Sequence, residues 1–149
     1  MISNVLDYSK WIKALMNSSG PISAAGHIAL RTSRTLIPDG ENSPYTGTTS
    51  YALGWINGVC VLLARLLFVE EIILTSFSQV YRGQECIQHS GRTEAFGTNL
   101  VVFPTLKYGI VSFANTAETA GAAEETLMWH LVDEKLGIPE DERFNWTKM

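Results

Sequence analysis

The chain has 149 residues, of which 46% are hydrophobic and 17% are charged, a balance that excludes a disordered protein and predicts a folded one. The formal charge is -4 and the 11 lysines and arginines are scattered, so no nucleic-acid partner is expected. Two cysteines without a CxxC pair predict no disulfide scaffold, and no set of His, Asp or Glu has the spacing of metal ligands, so no metal site and no cofactor are expected.

The first predicted element is an amphipathic helix near the N-terminus. Its apolar stripe recurs at helical spacing and consists of Val5, Tyr8, Ile12 and Leu15. Asn4 is expected to cap the helix, and Gly20-Pro21 to end it. The spacing therefore predicts a surface helix that docks by one face.

Residues 23 to 50 are rich in Ser, Thr, Gly and Pro and predict mostly loop, with a short helix around His27 to Arg31. The following segment, Tyr51 to Trp55, predicts a strand in which Gly54 allows close approach of another backbone. We expect the aromatic side chains of Tyr51 and Trp55 to lie in the core.

Residues 59 to 80 are far more apolar than their surroundings. Arg65 and the pair Glu70-Glu71 leave no uncharged run of the ~20 residues that a membrane-spanning helix needs, so no span is predicted. By composition alone, this segment is a buried hairpin or helix.

The C-terminal half predicts a sheet followed by a helix. Ile87 to Ser90 has the composition of a strand, and Asn99 to Pro104 with Tyr108 to Ala114 predicts an antiparallel hairpin. The last helix has an apolar stripe of Ala120, Ala123, Leu127 and Leu131 and ends at Gly137. The fold class is α+β, with an antiparallel sheet of three or four strands and flanking N- and C-terminal helices.

Five segments follow one another along the chain: Asp7-Tyr8-Ser9-Lys10-Trp11, Tyr51-Ala52-Leu53-Gly54-Trp55, His89-Ser90-Gly91, Val102-Phe103-Pro104 and Tyr108 to Asn115. In this order they resemble the C-terminal half of the β-lactamase-related, penicillin-binding-protein-like serine hydrolases. That family has three boxes around one cleft: Ser-x-x-Lys, Tyr-x-Asn or a relative, and Lys-Thr-Gly or His-x-Gly on a strand. Only the third box is present here, as His89-Ser90-Gly91.

The resemblance implies a catalytic site made of His89, Ser90, Gly91 and Arg92. The backbone N–H after the glycine, here that of Arg92, would stabilise the oxyanion of acyl transfer, and Gly91 would let substrate approach closely. His89 would face the cleft and hydrogen-bond the substrate or a proton-shuttling residue. Because histidine is ordinarily neutral near pH 7, esters or amides are favoured over substrates held by a carboxylate.

The resemblance also implies that residues 1 to 149 are the C-terminal part of one β-lactamase-like domain. The intact form would hydrolyse or transfer an acyl group of a small molecule through a serine ester, whereas this chain lacks the nucleophile and is expected to be inactive alone. The family pattern joins Gly58 directly to Val80. Residues 59 to 80 are therefore interpreted as an anomalous insertion, either a translated intron or a lineage-specific segment.

Two alternatives stay open. The chain could be a non-catalytic half-domain that binds a ligand or partner, or part of an acyltransferase of a specialised-metabolite pathway. Exposed strand edges and the apolar segment would favour self-association of such a fragment. The N-terminus has no signal-peptide pattern, but with the true start expected upstream, the sequence leaves localisation open.

Overall fold

The computed structural model describes residues 3–38, 43–59, 79–93, 95–116 and 121–146. Its helices are α1 (Val5–Met16), α2 (Ala24–Arg31) and α3 (Gly121–Leu136), with a short 3-10 helix at Glu140–Glu142. Its strands are β1 (Thr35–Leu36), β2 (Thr48–Tyr51), β3 (Ile56–Val59), β4 (Gln79–Tyr81), β5 (Gln84–Thr93), β6 (Phe96–Phe103) and β7 (Tyr108–Ala114).

The strands form an antiparallel sheet in the order β1-β2-β3-β5-β6-β7, and β4 also pairs with β5. This confirms the predicted α+β class. The described residues contain seven strands, more than the three or four expected from the sequence. The additional strands, among β1 to β4, have only two to four residues each, too few for an apolar alternation to be recognised.

The hairpin of β6 and β7 was predicted correctly. It belongs to the sheet, which is the middle layer of a three-layer arrangement. Alternate residues of β6 face opposite sides of the sheet: Leu100 and Val102 pack in a cluster with α1, whereas Val101 and Phe103 pack in a cluster with α3. The sheet therefore lies between α1 on one face and α3 on the other.

Helix α1 is confirmed, but only the second half of its predicted stripe is buried, because Val5 is 41% exposed. The Asn4 side chain accepts a hydrogen bond of 3.0 Å from the backbone N–H of Asp7, and Ile12 and Leu15 are buried against the sheet. The helix ends at Met16, a few residues before the predicted stop. Helix α2 confirms the short helix expected around His27 and lies on the α1 side, where Leu30 packs on the same cluster.

The apolar stripe predicted for α3 is wrong. Leu127 and Leu131 are 59% and 38% exposed, and Ala120 lies outside the described residues. The helix instead buries the neighbouring face, which contains Trp129 and Asp133. Two interactions favour this face: Trp129 stacks on Trp146 with ring centroids 4.6 Å apart, and Asp133 accepts a hydrogen bond of 2.7 Å from Tyr81 Oη.

The strand predicted at Tyr51 to Trp55 is also wrong. Tyr51 is the last residue of β2, and the residues after it form the turn into β3, closed by a 2.8 Å hydrogen bond from Ala52 N to Trp55 O. Gly54 has a φ of +78° and no atom would contact an added Cβ, so the glycine serves the turn rather than a close approach. Trp55 is buried as expected.

Strands β3 and β4 run along the same edge of β5. Ile56 pairs with Gln88, and Gln79, Val80 and Tyr81 pair with Cys86, Glu85 and Gln84. Most of the segment predicted as an insertion, residues 60–78, lies outside the described residues, but its two ends lie in these strands. No helix within the described ranges is long and apolar enough to cross a membrane.

Candidate functional site

The four predicted site residues lie in succession on β5, and their side chains alternate between the two faces of the sheet. His89 pairs with Leu100, which belongs to the cluster on the α1 side, whereas Ser90 pairs with Asn99 on the α3 side. Strand alternation therefore places His89 and Gly91 towards α1, and Ser90 and Arg92 towards α3. The side chain of Ser90 is exposed and is not among the described residues that line the cavity beside His89.

One edge of β5 is open beside these residues. Strand β4 covers residues 84 to 86 and β3 pairs only at Gln88, so in the described part of the chain no strand pairs with that edge of residues 89 to 93. The other edge is fully paired with β6. An open edge presents backbone N–H and C=O groups that an extended substrate or a peptide bond can bind.

His89 makes a polar contact with Tyr51. Its Nε2 lies 3.1 Å from the Oη of Tyr51, and the two rings meet at an angle of 61° with centroids 6.0 Å apart. Which of the two atoms donates depends on the imidazole tautomer. Tyr51 was expected in the core, yet it is 36% exposed because it ends β2 at the start of the turn. The sequence missed this residue as a partner of His89.

A cavity of about 210 Å³ adjoins His89 on the α1 face. Helix α1 contributes Tyr8 and Trp11, the β2–β3 turn contributes Trp55, and the ring of Tyr8 meets the ring of Phe113 edge-on at 5.0 Å. Among its described lining residues there is no serine and no lysine. The cavity can therefore hold a substrate group beside His89, but its described lining supplies neither a serine nucleophile nor a lysine base.

Gly91 is packed closely against β6. A Cβ at this position would stand 2.9 Å from Oγ1 of Thr98, and that hydroxyl also lies 3.3 Å from the carbonyl oxygen of Gly91, to which it donates. Packing within the sheet therefore explains why residue 91 is a glycine. Thr98 is a further residue at the site that the sequence did not single out.

Arg92 points its guanidinium towards the start of α3, where it lies against Gly121. Burial raises the pKa of the nearby Glu125 carboxyl, and the positive charge of Arg92 partly offsets that rise. The side chain of Arg92 is thus engaged on the α3 face. The oxyanion role predicted for Arg92 uses its backbone N–H. That role does not depend on where the Arg92 side chain lies.

The other two histidines lie away from His89. His27 is buried, with Nε2 3.1 Å from the carbonyl oxygen of Ser19, and His130 is exposed on α3 beside Glu134 and Arg143. Within the described ranges, no three His, Cys, Asp or Glu side chains are grouped so that they could hold a metal ion.

Comparison with known proteins found two similar curated sequences. No family model matches the chain, and no solved structure is significantly similar to it. The chain is 33% identical over 162 residues to an unguisins hydrolase of Aspergillus violaceofuscus, and 33% identical over 148 residues to an unguisins hydrolase of Aspergillus campestris. Each match covers 99% of this chain but only 25% and 23% of the relatives, so the chain spans about a quarter of their length. Both similar proteins are named as hydrolases.

Proposed function

We propose that this chain is the part of a β-lactamase-like serine hydrolase that supplies the third strand of its acyl-transfer site. The observation that supports this most is the position of His89, which stands at a cavity, beside the open edge of β5, with its Nε2 3.1 Å from Tyr51 Oη. The similarity to two proteins named as hydrolases supports the same class of reaction.

In the proposed reaction, a serine of another part of the hydrolase attacks the carbonyl carbon of an ester or amide and passes its proton to a base. The carbonyl oxygen becomes an oxyanion, which the backbone N–H of Arg92 stabilises, and the bond to the leaving group breaks as that group is protonated. Water then cleaves the serine ester. His89 holds the substrate or the proton-shuttling group during formation and hydrolysis of the serine ester. Tyr51 orients the imidazole of His89.

The substrate that we propose is a compound of the unguisin class, because both relatives are named for hydrolysing unguisins. We also propose that this chain is part of a longer protein, on two grounds. The sequence lacks Ser-x-x-Lys, and the match spans a quarter of either relative.

A chimaera tests the proposal: this chain replaces the matched quarter of the Aspergillus campestris protein, and unguisin hydrolysis is measured. We expect the chimaera to be active and His89→Ala to lower kcat/KM about 100-fold, a common contribution of a positioned acid–base group. The matched control is His130→Ala, which removes an exposed histidine of α3 and should leave activity unchanged.

Full activity of the His89→Ala chimaera would contradict the proposed role of the strand. Labelling of one serine in the 149-residue chain by a fluorophosphonate probe, abolished by a Ser→Ala change, would show a nucleophile within this chain and contradict its proposed origin. A folded chimaera that does not hydrolyse unguisins would favour the non-catalytic alternative.

A further inference from the structure

A second cavity of about 390 Å³ adjoins the one beside His89. The two cavities share three lining residues, Tyr8, Thr98 and Phe113. The second cavity continues along the sheet past Gly91 to the tip of the β5–β6 hairpin, where Phe96 lines it. A molecule bound at the open edge of β5 can therefore extend from His89 into this second space.

The lining of the second cavity is mostly apolar and aromatic, with short polar side chains only at Ser3, Thr93 and Thr98 among its described residues. Its described residues include no charged side chain, and three aromatic rings surround it: Tyr8, Phe96 and Phe113. The Thr98 hydroxyl donates to the Gly91 carbonyl, so its hydrogen is already used. Phe96 is 56% exposed at a hairpin tip, a position where polar residues are usual. An engineered cavity of about 150 Å³ already holds benzene, so the space admits an aromatic group.

We propose that this cavity is a specificity pocket for an apolar side chain, aromatic or branched aliphatic, next to the bond that the hydrolase cleaves. That the pocket lies next to the cleaved bond rests on the proposed function. The binding of an apolar side chain depends only on the pocket itself. Phe96 and Phe113 are the specificity-determining residues, and Tyr8 lines both the pocket and the space beside His89.

The test measures binding to the 149-residue chain by titration of its backbone amide NMR spectrum. Two probes are compared: N-acetyl-L-phenylalanine amide and N-acetylglycine amide. We expect the phenylalanine probe to bind about tenfold more tightly, with the largest shifts at residues 96 to 98 and 113, since apolar groups are discriminated at about this level. Cross-relaxation between the probe's phenyl protons and the rings of Phe96 or Phe113 should locate it without any variant.

Phe96→Ala should abolish the preference for the phenylalanine probe. Its matched control, Leu127→Ala, removes a similarly exposed apolar side chain on α3 and should change nothing. His89→Ala should also leave the preference intact, so failure of the catalytic proposal is distinguishable from failure of this one. Equal affinity for the two probes, or an undiminished preference in a folded Phe96→Ala variant, would overturn the pocket.

Discussion

Gly91 stands against Thr98, and this contact decides what a side chain at residue 91 would do. The added Cβ would lie 2.9 Å from Thr98 Oγ1, which is closer than real Cβ contacts. The sequence interpretation gave Gly91 a different reason, close approach of the substrate. Experiments can separate the two explanations, because packing depends on the Thr98 side chain and close approach depends on a bound substrate.

We predict that Gly91→Ala destabilises the fold by about 1–3 kcal/mol, the usual cost of overpacking. In a Thr98→Ala background the clashing hydroxyl is gone, so the cost of Gly91→Ala should fall by at least about 0.5 kcal/mol. Urea unfolding of the four forms measures this coupling. If the two changes are strictly additive, the packing explanation is wrong. If the stability of the double variant is restored but its activity in the chimaera is not, the glycine also serves substrate approach.

At the level of elements, the register of β3 and β4 bears on the segment between them. Ile56 lies opposite Gln88. If that pairing continued for two more residues, Gly58 would stand opposite Cys86, the position that Gln79 occupies. Joining Gly58 to Val80 would then leave Val80 opposite Glu85 and Tyr81 opposite Gln84, as observed. From this register we propose that the insertion predicted at residues 59 to 80 separates two parts of one strand, β3 and β4, and that a direct connection of Gly58 to Val80 would omit residues 59 to 79.

Deleting residues 59 to 79 should stabilise the chain. Closing a loop of that length costs on the order of 2–3 kcal/mol of entropy, which a direct connection avoids. The matched control deletes residues 60 to 79, one residue fewer, and shifts the register so that buried Tyr81 turns to the other face. Urea midpoints and soluble yield should rise in the first variant and fall in the second. Equal or lower stability of the first variant would show that the segment belongs to the fold.

For the molecule as a whole, the buried Tyr81 and Cys86 and the partly buried Tyr45 connect stability with alkaline pH. Burial raises the pKa of Tyr45 and Tyr81 above the ordinary tyrosine value of 10.0, and raises that of the Cys86 thiol above 9.0. All three belong to or pack against the core cluster between the sheet and α3. Ionisation of any of them in the folded state would place a charge in that core.

We predict that stability is constant between about pH 8 and pH 9 and falls above that range. Above the unfolded-state pKa values the unfolded chain releases protons that the folded chain retains, so the free energy of unfolding decreases as pH rises, by up to about 1.4 kcal/mol per pH unit for each group. Urea unfolding from about pH 8 to about pH 11 measures the slope. Tyr45→Phe removes one titrating group and should make the slope shallower. A stability that rises above pH 10 would contradict the burial of these groups.

The sequence by itself determined the elements whose patterns are long and local. Side-chain periodicity predicted α1 with its buried Ile12 and Leu15, the β6–β7 hairpin and hence the α+β class. The Asn4 cap follows from the preference of asparagine for helix N-termini, and the resemblance placed His89-Ser90-Gly91 on a strand. Hydrophobic alternation over seven or eight residues can be read without knowing any partner.

Only the tertiary structure decided which side chains meet. Periodicity favoured Leu127 and Leu131 as the buried stripe of α3, but the stacking of Trp129 on Trp146 and the hydrogen bond from Tyr81 to Asp133 turned the adjacent face inward. Tyr51 and His89 are 38 residues apart, and their contact depends on where the β2–β3 turn sits beside β5. Such pairings are set by long-range packing, because the free energy of burial depends on the partner surface that the rest of the chain provides.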